Sequence, residues 1–281
     1  MSTIYDVANV KGFIRMCNDG WLQGWHERNG GNLTYRLTKE EVEQARPYFS
    51  DGKPWVEIGV EVKNLAGEYF LATGTGKFLR NVQLAPQDNV CIAEIDKTGT
   101  KYRIVWGLEK GGAPTSEFPS HLMNHSVKFD VTGGKHRVIY HAHTPAVIAM
   151  TNVLELDDVK WTRALWSAMT ECPVVFPGGV GVLPWMVCGG AEIAKATSEL
   201  MKQYDVAIWA FHGTFASGKR TACFVTCNGL DTTNVLKLHD KPVTVEVYIL
   251  HILRRTENGS ETDVVFIVSV THKHASRLHI V

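Results

Sequence analysis

Apolar residues in this chain switch repeatedly between helical and strand spacing as far as His212, and this alternation limits the architecture more than any other feature. Val7, Val10, Phe13, Ile14, Cys17, Trp21 and Leu22 recur at helical intervals, and Asn29-Gly30-Gly31-Asn32 then marks a turn. Leu33 to Leu37 reads as a strand, and Thr38-x-x-Glu41 as a capping box for a short helix that Pro47 ends. Glu68 to Thr73 is a further strand, Lys77 to Val82 a helical turn, and Asn89 to Leu108 two strands joined around Lys97-Thr98-Gly99-Thr100. Thr115 and Ser116 are N-cap candidates for a helix through Val127, and Arg137 to His143 has the β-branched, apolar character of a buried strand. Helices are expected over Pro145 to Leu154, Asp158 to Thr170 and Ala191 to Tyr204, with a strand from Val206 to His212. Such mixed order with several hairpins predicts an α/β layered fold: a central, mostly antiparallel sheet flanked by helices.

The chain has 281 residues, 44% of them hydrophobic, enough to bury a substantial core. Acidic and basic residues balance at 29 each, so no global field favours nucleic acid or a membrane surface, and a small-molecule partner is expected. No apolar run reaches the ~20 residues of a membrane span and no secretion signal opens the sequence, which points to the cytoplasm. Six scattered cysteines without a C-x-x-C pair fit reduced thiols.

His141-Ala142-His143 closes a predicted strand, and residues two apart on a strand project to the same side, so the pair forms a two-point claw for a metal. His212, at the end of a later apolar strand and followed by Gly213, can supply a third imidazole; three neutral imidazoles hold Zn²⁺ and leave a coordination position open. A buried histidine bonded to backbone is the ordinary alternative for either member of the pair. A second pair, His272-Lys273-His274, lies in a polar, basic stretch and reads as solvated surface. Two carboxylates, Glu117 and Glu171, are by composition ordinary acids, although beside a Lewis acid either could take a proton from carbon. Small donors cluster at Asn29 to Asn32, Thr73 to Gly76 and Thr115-Ser116, where backbone N–H groups and helix N-termini could receive a phosphate, or where plain turns suffice. Gly74-Thr75-Gly76-Lys77 lacks the length and the following Ser/Thr of a Walker A loop.

Taken together, Trp25-x-Glu27-Arg28-Asn29-Gly30-Gly31-Asn32-Leu33-Thr34, Thr73-Gly74-x-Gly76-Lys77-Phe78, Pro114-Thr115-Ser116-Glu117, His141-Ala142-His143, Val174-Val175-Phe176-Pro177 and Phe211-His212-Gly213 resemble the class II aldolase family of sugar-phosphate aldolases and epimerases. The resemblance implies a homotetramer with one Zn²⁺ per subunit. It implies reversible cleavage of L-rhamnulose 1-phosphate to dihydroxyacetone phosphate and L-lactaldehyde. Carried across position by position, it makes His141, His143 and His212 the zinc ligands, Glu117 the base, and Glu171 a second catalytic carboxylate toward the aldehyde end. Asn29, Gly31, Asn32, Gly74, Thr75, Thr115 and Ser116 would surround the phosphorylated three-carbon fragment.

The likeness stops near Gly218, dividing the chain into a catalytic domain, 1–218, and an atypical segment, 219–281, where the family would continue with helix and strand. An abrupt change at near-family length is what a shifted reading frame would produce, and resequencing the region tests that. Within the segment, Val243 to Ile252 and Val264 to Val270 could pair as a hairpin about Glu257-Asn258-Gly259-Ser260. Cys223 and Cys227 with His272 and His274 match no common zinc module. Two other readings are an epimerase on the same scaffold and a zinc-binding relative silenced by its tail. A zinc hydrolase is disfavoured because no H-E-x-x-H helix is present.

Overall fold

The computed structural model describes residues 3–219 and, beyond them, the backbone of three strands. In chain order the elements are α1 (Ala8–Leu22), β1 (Asn32–Arg36), α2 (Lys39–Ala45), β2 (Val56–Glu57), β3 (Tyr69–Thr73), α3 (Pro86–Asn89), β4 (Val90–Ile95), β5 (Lys101–Gly107) and α4 (Phe118–Thr132). There follow β6 (Val138–Ala142), α5 (Pro145–Met150), α6 (Asp158–Ala168), α7 (Cys172–Val175), β7 (Gly181–Leu183), α8 (Ala191–Leu200), β8 (Val206–Trp209) and β9 (Gly213–Gly218). The final strands are β10 (Thr233–Leu238), β11 (Lys241–Thr256) and β12 (Gly259–Thr271).

β1 to β9 form a nine-stranded sheet in the order β2-β5-β4-β3-β1-β6-β9-β8-β7. Every pairing is antiparallel except β7 with β8, so the expected layered, mostly antiparallel architecture is what the chain adopts. Alternation of side chains explains the layers. On β3 and β4, Leu71 and Ile92 join Val10, Phe13 and Cys17 of α1 on one face. Phe70, Ala72, Cys91 and Ala93 turn to the other face and meet Phe118 and Leu122 of α4. On β6, Tyr140 packs with the α1 side, whereas Ile139 meets Phe215, Trp209 and Ile193 of α8. Both faces being covered, all five residues of β1 and of β6 are buried.

Local signals act as expected in several places. Thr38 accepts from Glu41 N at 3.2 Å while Glu41 accepts from Thr38 N at 2.7 Å, completing the capping box of α2. The expected caps at Thr115 and Ser116 are corrected to Glu117, and α4 runs on to Thr132, where Gly133 ends it in the left-handed region. A cap at Thr115 would have put Pro119 at the fourth helical position, where its missing N–H forfeits a ladder bond; starting at Phe118 leaves it in the first turn. The strand expected to reach His212 stops at Trp209, because Phe211 adopts φ 61° and reverses the chain into β9, a strand the periodicity did not reveal. In the C-terminal segment β11 and β12 pair antiparallel with Thr256 opposite Gly259, the hairpin the sequence suggests. His272, His274, Cys223 and Cys227 lie outside the described residues. Cys17, Cys91 and Cys172 are buried free thiols and Cys188 an exposed one. Among the described residues no helix is long and apolar enough to cross a membrane.

Candidate metal centre

Antiparallel pairing brings five chain ends to one end of the sheet. The start of β1 lies beside the ends of β3 and β6, since Asn32 pairs with His141 and Thr34 with both Ala72 and Ile139. The start of β9 lies beside the end of β6, with Ala142 opposite Thr214, and the end of β8 joins it through Trp209 and Gly213. This edge holds the three predicted ligands. His141 is buried in β6, His143 follows one residue past its end, and His212 sits in the β8–β9 turn.

Their ring centroids form a nearly equilateral triangle of 4.7, 4.9 and 4.9 Å. One ring nitrogen from each lies within 4.8 Å of the other two, and His141 Nε2 and His143 Nε2 are 3.2 Å apart. Each outer nitrogen of the β6 pair has a hydrogen-bond acceptor. His141 Nδ1 donates to the Thr214 carbonyl at 2.9 Å, and His143 Nδ1 donates to Glu27 Oε1 at 2.5 Å. These bonds leave both Nε2 lone pairs aimed inward, as metal-ligating imidazoles require. Burial, reinforced by the neighbouring imidazoles, holds His141 well below the ordinary histidine range, and burial with His143 nearby brings His212 down to about 4. The donor set is three converging imidazoles, and it fits a divalent cation of the zinc type.

The turns that shape this edge tolerate little change. Gly213, at φ 150°, packs so closely on β6 that a Cβ would sit 2.2 Å from the Ala142 carbonyl oxygen. Gly31, at φ 69°, would place a Cβ 2.4 Å from His26 Nδ1 and 2.7 Å from the His141 carbonyl oxygen. Phe211, also at positive φ, is tied down by a bond from its N–H to Thr151 Oγ1 at 3.0 Å. Backbone strain thus adjoins a candidate ligand, a common association at functional sites.

Glu117, the N-cap residue of α4, is buried beside the same edge, and Asn32 Nδ2 donates to its Oε2 at 2.8 Å. Burial raises its carboxyl above the usual range, against the opposing pull of that hydrogen bond and of His143. The small donors also converge. Gly74 bridges Pro114, Thr75 N bonds Ala113 O at 2.9 Å, and Thr115 N bonds Thr73 O at 2.7 Å. Gly74 N is likewise taken, by Asn89 O at 2.8 Å, so all three of these backbone groups are committed within the fold and Thr75 and Thr115 offer hydroxyls as donors, beside the exposed Ser116. Asn29 is exposed in the turn before Gly31. Glu171 is the N-cap residue of α7, where its carboxylate accepts from Thr170 Oγ1 at 3.1 Å.

Glu27 is the residue touching the triad that pattern reasoning passed over. It sits in a polar turn 116 positions from its partner, and no spacing rule links the two.

Comparison with known proteins identifies the family. The class II aldolase and adducin N-terminal domain profile matches residues 11–225. The chain is 48% identical over 221 residues to a rhamnulose-1-phosphate aldolase of Klebsiella pneumoniae, covering 78% of this chain and 79% of that one. Its identity to a rhamnulose-1-phosphate aldolase of Pectobacterium atrosepticum is 49% over 221 residues, covering 78% and 80%. Its fold is similar to that of a sugar-phosphate aldolase from Thermotoga maritima, with a TM-score of 0.67 at 26% identity over 79% of this chain and 89% of that one. With a triad of imidazoles, a buried carboxylate and a matched span of this length, the chain belongs to the class II aldolase and adducin N-terminal domain family.

Proposed function

We propose that the protein catalyses zinc-dependent, reversible cleavage of L-rhamnulose 1-phosphate to dihydroxyacetone phosphate and L-lactaldehyde. The observation that carries this reading is the triad His141, His143 and His212 beside buried Glu117, in a chain 48–49% identical to proteins named rhamnulose-1-phosphate aldolase. The three histidines would hold the metal, one ion per chain. When bound, a divalent cation polarises a carbonyl and offsets negative charge on oxygen.

The chain's own groups do the remainder. In the synthesis direction Glu117 takes the carbon-bound proton of dihydroxyacetone phosphate, for which its raised carboxyl range makes it a stronger base than an exposed glutamate. Asn32 holds Oε2, so Oε1 receives the proton. Glu117 returns that proton to the same carbon when the ketose is cleaved. Asn29, Gly31, Asn32, Gly74, Thr75, Thr115 and Ser116 position the phosphate and the three-carbon fragment, and Glu171 serves the aldehyde end. All of these precede Lys219, which supports residues 1–218 as the catalytic body and 219–281 as a separate segment. In this reading four chains associate and work in the cytoplasm.

The test mixes zinc-loaded protein with L-rhamnulose 1-phosphate and follows dihydroxyacetone phosphate through coupled NADH oxidation. Release that a chelator and Glu117→Ala both abolish is the expected result. Folded, zinc-bound protein that releases none overturns the reading, and so does a lysine adduct trapped by borohydride.

A further inference from the structure

Behind Glu117 and Asn32 runs a buried chain of polar groups, His121, Thr34 and His125, that the proposed reaction does not use. Asn32 donates to Glu117 through Nδ2, and its Oδ1 accepts a short bond from His121 Nε2. Thr34 Oγ1 lies 2.8 Å from His121 Nδ1 and 2.8 Å from His125 Nε2. His121 and His125 are four apart on α4, so both rings fall on the face that meets β1. Phe215 closes over His121 at 5.1 Å and Phe70 over His125 at 4.9 Å, and Asn32, Thr34 and both rings are buried.

The direction of every bond follows from its neighbour. A carboxylate only accepts, so Asn32 must present its NH₂ to Glu117 and its oxygen to His121. His121 must then carry its proton on Nε2 and accept at Nδ1 from the Thr34 hydroxyl. Thr34, having given its only proton, accepts from His125 Nε2–H. His125 Nδ1 has no partner, which suits a bare lone pair; the other tautomer would bury an N–H without an acceptor. Burial keeps both rings neutral, His121 down to about 3. Every donor therefore points along the chain toward the carboxylate.

We infer that His121 is a positioning residue for the Glu117 base: through the Asn32 carboxamide, and with Thr34 and His125 setting its tautomer, it fixes the donor face of that amide against the carboxylate. The inference rests on the proposed role of Glu117. The chain is not a proton wire, because an amide passes a proton only through its imidic acid form. It acts as a rigid polar support, and without it the Asn32 amide is free to flip and set oxygen against oxygen.

The experiment uses the zinc-loaded full chain. Long-range ¹H–¹⁵N correlation of labelled histidines near neutral pH is expected to show His121 and His125 protonated at Nε2; an Nδ1–H on His121 overturns the inference with no variant needed. Exchange of the carbon-bound proton of dihydroxyacetone phosphate with D₂O then reads the base directly. His121→Leu and His121→Asn are expected to lose roughly 10- to 100-fold of that exchange, the scale of a displaced catalytic group. His121→Gln, whose amide nitrogen reaches the place of Nε2, is expected to stay within about threefold of the parent, a margin smaller than one catalytic hydrogen bond. Equal exchange in the Gln and Asn variants, or parental exchange in the Leu variant, overturns the inference. Should the Leu variant not fold, Thr34→Val severs the chain one bond further back, and parental exchange together with a parental His121 tautomer in that variant is likewise fatal. Exchange that persists in Glu117→Gln sinks the base assignment instead and leaves the tautomer result standing.

Discussion

Replacing Glu27 tests whether the metal centre depends on the acid behind His143. The carboxylate lies 2.5 Å from His143 Nδ1 and is the group that sets which nitrogen faces the triad. Partners of this kind typically contribute 10- to 100-fold to metal affinity. The Glu27 side chain is 63% exposed, so solvent screens its charge, and the electrostatic part belongs at the low end. Glu27→Gln keeps an acceptor oxygen and removes the charge, and should weaken zinc binding about 10-fold. Glu27→Ala also frees the ring to rotate and should approach the upper end. Gly30 offers an independent handle: a Cβ there would stand 2.8 Å from both Glu27 Oε1 and His143 Nδ1, so Gly30→Ala pries the same pair apart. Competition against a chromophoric chelator at fixed pH and salt gives each dissociation constant. Because Glu27→Ala and Gly30→Ala remove one interaction, the double variant should bind zinc about as weakly as the worse single one. Unchanged affinity in Glu27→Ala, or losses that multiply in the double variant, would refute the argument.

Three further outcomes are expected. His26 is pushed down to about 4 and His121 to about 3 by burial, so the unfolded chain takes up protons first as the pH falls below about 6.5. Folding stability of the metal-free protein should then decline steadily from pH 6.5 toward 4, by on the order of 3 kcal/mol for His26 alone, as urea unfolding at several pH values will show. Gly213→Ala should cost roughly 2–4 kcal/mol and lower the zinc content, measurable by thermal melting and metal analysis, because its Cβ would strike the backbone of Ala142 and His143, in the segment that carries two candidate ligands. Thr38→Ala should cost about 1 kcal/mol by the same melting assay through loss of the capping box, with zinc content unaltered.

Much of the fold was legible because its signals are local. The helical spacing from Val7 predicts α1 to its last residue, and the Thr38 capping box predicts α2. The pairing of His141 with His143 follows from strand periodicity, and the structure sets their rings 4.9 Å apart. What stayed hidden depends on tertiary placement. β9 is a short run of Gly, Thr, Phe, Ala and Ser whose buried pattern arises only from lying between two other strands. His212 reaches its partners through a left-handed Phe211, a conformation no propensity scale assigns to phenylalanine. Glu27 reads as turn polarity until β6 delivers His143 to it. His121 and His125 did carry a signal, an i, i+4 pair on one helix face, but the hydroxyl that gives them meaning, Thr34 on β1, is 87 and 91 residues away.

The place of β9 in the sheet also governs biosynthesis. Though last of the nine strands along the chain, it lies inside the sheet, hydrogen-bonded to β6 on one side and β8 on the other. Until Gly218 has left the ribosome, β6 presents an open edge and β8 with β7 has no attachment to the strands made earlier. The nascent chain therefore waits, from β6 onward, for a segment some 75 residues downstream before its central seam can close, a slow, non-local step of the kind that favours chaperone engagement. The histidine of the β8–β9 turn arrives with that same segment, so capacity to hold metal and closure of the sheet appear together, late in synthesis.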